Sequence, residues 1–166
     1  MLKQYYLSSL AILTICAGSL VALSAQAAEP AVISDYSQAS WGEDQRTVWQ
    51  VIVRWNRAFA ENDVERYFEF IDQNITVLTP GNPYRVEGII DDRNEFEFGL
   101  STGRSEVGFF QMMQPLIRVF GDMAIVTYFS RGYYGSDNGN ILYFKETDVL
   151  ALQDGNWKIV HIHLSE

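Results

Sequence analysis

The first clear periodicity along the chain is helical. Val48, Ile52, Trp55 and Phe59 recur at three- and four-residue spacing and form one apolar stripe. Just ahead of them, Ser40-Trp41-Gly42-Glu43 has the S-x-x-E spacing of a capping box, in which a hydroxyl and a carboxylate satisfy orphan backbone donors reciprocally. A helix is therefore expected to open there. Asn62-Asp63 breaks and recaps the chain, and Val64, Tyr67, Phe68 and Ile71 give a second helix face. Ile75 to Thr79 predicts a strand, ended by the turn Pro80-Gly81-Asn82-Pro83. Ile89 to Leu100 predicts a third, acidic helix with Ile89, Phe96 and Leu100 inward.

From Glu106 the period falls towards two. Phe109 to Phe120 predicts a strand bent or bulged at Pro115, because proline cannot donate to a ladder. Met123 to Tyr133 predicts the next, followed by the turn signal Ser136-Asp137-Asn138-Gly139. Ile141 to Leu152 and Trp157 to Leu164 predict two more strands, joined by a tight turn at Asp154-Gly155. The pattern is that of one α+β domain over 40–166, with three N-terminal helices packed on a curved antiparallel sheet.

Ahead of it the order changes. Lys3, then an apolar run from Leu7 to Leu23, then Ala25-Gln26-Ala27 is the order of a secretory signal peptide cleaved after Ala27, with a polar leader over 28–39. The expectation is a periplasmic or secreted protein with no membrane attachment after cleavage. Loss of residues 1–27 removes Lys3 and Cys16, so 21 acidic residues face 11 basic ones and no cysteine remains. Thiol nucleophiles, zinc–thiolate sites and disulfides are then excluded. The acidic balance argues against a nucleic-acid groove, which needs clustered Lys and Arg to displace counterions.

Strand parity decides which side chains can share a pocket. Leu142, Phe144, Glu146, Asp148, Leu150 and Leu152 alternate onto one face, whose apolar majority marks it as the helix-covered one. Val126, Tyr128 and Ser130 alternate against Ile125, Thr127, Phe129 and Arg131. On the last strand, Val160, Ile162 and Leu164 are expected opposite Trp157, Ile159, His161 and His163. Glu146 and Asp148 would lie among apolar neighbours, where burial raises a carboxyl pKa, so they are either site groups or satisfied structural carboxylates.

Other motifs carry less. Gly99-Leu100-Ser101-Thr102-Gly103 matches G-x-S-x-G, but a nucleophile elbow needs a strand before it and a helix after it, the reverse of the order here. His161-x-His163 has metal-compatible spacing, yet no third His or Cys remains to complete a shell. No metal and no cofactor are expected.

The ending Asp154-Gly155-Asn156-Trp157-Lys158-Ile159-Val160-His161-Ile162-His163-Leu164-Ser165 is the most specific string in the chain. With Val86-Glu87-Gly88, Pro115, Gly121-Asp122, Tyr128 and Glu146-Thr147, it resembles the NTF2-like superfamily over about residues 44–165. Within that superfamily the likeness is to the association (hub) domain of calcium/calmodulin-dependent protein kinase II and its stand-alone, SnoaL-like bacterial relatives. The resemblance implies an NTF2-like cone with an internal pocket, and sheet-mediated homodimers or higher rings. It also implies pocket arginines at positions occupied here by Ser130, Asp148 and Leu164, and a histidine at Leu116.

With those cations replaced, the expected pocket is formed by Tyr128, Ser130, Phe144, Glu146, Asp148, Ile162 and Leu164, and suits a neutral or cationic small molecule. Two functions fit. One is a non-catalytic, self-associating binding or scaffold domain. The other is an isomerase, cyclase or hydratase with Asp148 as general base and Tyr128 as hydrogen-bond donor.

Overall fold

The computed structural model describes residues 31–32, 40–105, 107–134 and 140–166. The signal segment expected at 1–27, most of the expected leader and the turn expected at 136–139 lie outside the described residues.

Helix α1 (Glu43–Ala60) starts with Gly42 as N-cap, two residues later than the Ser40 box implies. The Gly42 N–H donates to Gln45 Oε1 at 2.9 Å, so Gln45, three residues on, plays the reciprocal part. Gln45 Nε2 also donates to the Ile117 carbonyl at 2.8 Å, which pins the start of the helix to the sheet. Asn62, at φ +55°, turns the chain into α2 (Val64–Glu69), where Asp63 Oδ1 accepts the Arg66 N–H at 3.1 Å. The third helix, α3 (Ile89–Ser101), matches its expected span.

The sheet has seven strands among the described residues, in the order β1-β4-β5-β6-β7-β2-β3. The four long strands β4 (Val107–Phe120), β5 (Met123–Tyr134), β6 (Leu142–Gln153) and β7 (Asn156–Ser165) form the antiparallel meander read from the sequence. The sheet as a whole is mixed, which corrects the antiparallel expectation. β2 (Ile71–Leu78) joins β7 in parallel, and β1 (Ala31–Val32) joins β4 in parallel. Parallel neighbours need a long connection, and α3 with the meander provides one between β2 and β7. β3 (Val86–Glu87) pairs with β2 at the edge.

Two bulges set the side-chain frame. At the first, the β4–β5 register slips between Met113 and Leu116 and Gln114 takes φ +54°, so Pro115 marks a bulge as expected. The second was not signalled. Val149 pairs with His161 but Leu150 with Ile159, leaving Val160 as an extra residue on β7. The expected alternation of β7 is therefore corrected: Trp157, Ile159 and Ile162 are all buried, and the exposed His163 lies opposite.

Helices α1 and α2 cover one sheet face. Val48, Ile52 and Trp55 pack with Met112, Ile117, Val126, Leu150 and Ile159 in one apolar cluster. The predicted parity of β5 and β6 holds: Val126, Tyr128, Ser130, Glu146, Asp148 and Leu150 are buried on the covered side. Ile125, Phe129, Leu116 and Tyr143 are exposed.

Candidate functional site

A cavity of about 500 Å³ lies on the helix side of the sheet, a size ordinary for small-molecule sites. Helix α1 contributes Trp55, Asn56 and Phe59, α2 contributes Tyr67, and α3 contributes Asp92, Glu95 and Phe96. Phe144 and Glu146 of β6 and Ile162 and Leu164 of β7 complete the opposite wall. The aromatic part is tightly packed on itself: Tyr67 stacks on Phe96 with centroids 4.6 Å apart, and Trp55 leans on Tyr67 at 5.3 Å.

Of the expected pocket residues, Phe144, Glu146, Ile162 and Leu164 line this cavity. Tyr128, Ser130 and Asp148 lie behind its wall, buried on the same sheet face. Tyr128 and Glu146 are direct cross-strand partners, and the Tyr128 hydroxyl donates to Glu146 Oε2 at 2.7 Å. That phenol oxygen in turn accepts a bond from Asn56 Nδ2 at 3.1 Å, and Asn56 also donates to the Ile52 carbonyl. Trp49 closes the far side of Tyr128, edge to face at 5.9 Å. The polar relay thus runs from α1 through β5 to one carboxyl at the cavity surface.

Burial raises the Glu146 pKa, with the Tyr128 and Ser130 hydroxyls holding it back in part. Ser130 Oγ is buried and has no hydrogen-bond partner among the described residues. Asp148 sits two residues further along β6 at 0 % exposure, and neither of its carboxyl oxygens has a hydrogen-bond partner among the described residues. Burial raises its pKa well above the carboxylate range, the neighbouring Glu146 adds to this, and the Tyr128 hydroxyl offsets only part. Two carboxyls on one buried face cannot both ionise cheaply, so burial and their mutual repulsion favour protonation of the pair. Asp148, expected to touch the ligand as a base, does not reach the cavity. Glu146 is the carboxyl that does.

The sequence reading missed Asp92. It is 7 % exposed, lines the cavity, and its Oδ2 has no hydrogen-bond partner among the described residues. Burial, with a smaller contribution from Glu95, pushes its pKa up to about 6. A signal was available: Ile89, Asp92 and Phe96 share one helical stripe, so a carboxyl interrupts an inward apolar face.

The remaining motifs resolve differently. Gly99-x-Ser101-x-Gly103 is the C-terminus of α3, where the Ser101 hydroxyl donates to the Phe98 carbonyl. A Cβ on Gly99 would lie 2.0 Å from Ser105 Oγ, so this glycine permits a close turn rather than an elbow. His161 Nδ1 pairs with Thr76 Oγ1 at 2.7 Å on the face away from the cavity. Burial, His163 and Arg85 lower its pKa. Among the described residues no three His, Cys, Asp or Glu side chains group to hold a metal ion. Leu116, at the position where the resemblance implies a histidine, is exposed on the uncovered side.

Helices laid on a bulged, mixed sheet beside a cavity define an NTF2-like α+β cone. Within that class, the chain belongs to the calcium/calmodulin dependent protein kinase II association domain family, which matches residues 44–166. Among solved structures it is similar to an NTF2-like protein from Pseudomonas putida KT2440, at 20% identity and TM-score 0.68, covering 78% of this chain and 87% of that one. The S. rosetta kinase II hub matches at 25% identity and TM-score 0.64, over 75% and 98% of the two chains. The association domain of C. elegans kinase II matches at 26% and 0.59, over 75% and 100%. No match was found among curated protein sequences.

Proposed function

We propose that this protein is an exported, self-associating domain that binds a neutral or cationic small molecule in its cavity and performs no chemistry of its own. The observation that carries the reading is Glu146: a carboxyl only 5 % exposed, placed at the wall of an aromatic cavity and oriented by Tyr128. A group so expensive to bury is retained where a ligand or a reaction uses it. Self-association is supported by the family's hub relatives and by the sheet face that no described helix covers, where Leu116, Ile125, Phe129 and Tyr143 are exposed together. Export rests on the leader pattern at 1–27.

A thermal-shift screen of the purified protein tests the binding role, since any ligand of the native state stabilises it by mass action. Light scattering tests the assembly. Phe129→Lys is expected to reduce the particle to a monomer with an unchanged far-UV spectrum; a monomeric parent protein at micromolar concentration would sink the assembly.

A second reading is favoured by the same carboxyl. A raised pKa and a fixed orientation also suit Glu146 to general acid–base work on an isomerisation, cyclisation or hydration. Turnover of a screening hit that disappears in Glu146→Gln would replace the binding role by the enzymatic one.

A further inference from the structure

The cavity sets its charge against its cations. Among the described residues its lining holds four acidic side chains, Asp92, Glu95, Glu146 and Glu166, and one basic one, Arg104. Arg104 is an exposed residue of that lining, its guanidinium 4.9 Å from the centre of the Phe98 ring and its Nε donating to Thr102. Arg93, one residue from Asp92, pairs with Glu65 at 2.6 Å and lies 4.6 Å from the centre of the Phe68 ring. Among the described residues neither cation forms an ion pair with the interior carboxyls. Asp92 Oδ2 is buried, unpartnered and at the cavity wall, and Glu146 faces the same space from β6.

The walls between these carboxyls are aromatic. Trp55, Phe59, Tyr67, Phe96, Phe110 and Phe144 all line the cavity. Ring faces attract cations through their quadrupole, most strongly where water is excluded, and offer nothing to an anion. The volume, about 500 Å³, suits an organic ion far better than a bare metal, and no three metal-type donors are grouped among the described residues.

We propose that the ligand of this cavity is an organic cation, a quaternary ammonium or protonated amine, held between the Asp92 and Glu146 carboxyls within the aromatic walls. The proposal rests on the reading of the cavity as a ligand site and gives that site its chemical class. It makes Asp92 a binding residue from α3, opposite Glu146 on the sheet. It also gives both carboxyls the counter-charge that their own chain withholds.

Calorimetric titration of the full protein tests it. The probes are choline and benzyltrimethylammonium, their uncharged isosteres in which tert-butyl replaces the trimethylammonium group, and benzoate. The cations should bind at least about tenfold more tightly than their isosteres, as a charge-assisted contact in a dry site requires, with benzoate weakest. Asp92→Asn and Glu146→Gln should each remove about tenfold of cation affinity while leaving the isosteres unchanged; Asp91→Asn, an exposed neighbour on α3, should change neither. Should Asp92→Asn fail to fold, Glu146→Gln carries the same comparison. Isosteres or benzoate binding as well as the cations would overturn the cationic assignment and leave the cavity a ligand site. Cation binding indifferent to both substitutions would overturn it too. Binding of none of the probes, charged or neutral, would sink the cavity reading itself.

Discussion

The two faces of the central sheet carry the reverse of what their surroundings suggest. The face under the helices holds Ser130, Glu146 and Asp148, three polar groups shut away from water. The face with no described helix over it displays Leu116, Ile125, Phe129 and Tyr143. An apolar core would be more stable with Leu or Val at 146 and 148, and a lone soluble domain would be safer with polar residues outside. Each face departs from its own optimum in the direction of the contact proposed for it: the inner one with a small ligand, the outer one with a second copy of the chain.

Truncations on either side sharpen the contrast most. Leu150→Ala removes a fully buried side chain and should destabilise the fold by about 2–5 kcal/mol in chemical denaturation. Leu116→Ala, at 50 % exposure, should change monomer stability by less than about 0.5 kcal/mol and act on assembly instead. Equal losses at the two leucines would erase the distinction between a core face and a contact face.

Acidity probes the inner face alone. Asp92 has a native pKa of about 6 against an ordinary 3.8, so the folded state binds its proton more tightly than the unfolded one. Its contribution is fully present below pH 3.8 and is lost as pH rises through 6. Glu146 and Asp148 shift in the same direction. Denaturation at pH 5 should therefore show a more stable protein than at pH 8, by about 1.4 kcal/mol from Asp92 alone. A bound cation should shrink that difference, because it favours the ionised carboxyl. A gain of about 1–3 kcal/mol at pH 7 is expected from Asp148→Leu, which replaces a polar group with no partner among the described residues by an apolar one of similar volume. A loss would mean that Asp148 is held by bonds that its geometry does not display.

Much of this contrast was legible in the chain. The alternation of β5 and β6 assigned Tyr128, Ser130, Glu146 and Asp148 to the covered face, and Pro115 announced its bulge, because period-two patterning and proline chemistry are local signals. Depth was not legible. Parity placed Asp148 on the right face but could not say that Phe144 and Glu146 would reach the cavity while Asp148 stayed sealed behind them. The parallel docking of β2 against β7 depends on a long-range path that no short window contains. Asp92 was readable as a charge within the stripe of Ile89 and Phe96, yet the acidic look of the whole helix masked it.

Val160 works as an insertion in the reading frame of β7. Upstream of it, odd-numbered Trp157 and Ile159 point inward; downstream, even-numbered Ile162 does. Had the strand kept one frame, His161 and His163 would stand where Ile162 and Leu164 now line the cavity, opposite Asp92 and beside Glu146. Two imidazoles among carboxyls would make a proton-trading or metal-holding chamber. One aliphatic residue thus keeps the chain's two histidines off the cavity side, and leaves the interior to carboxyls and aromatic rings.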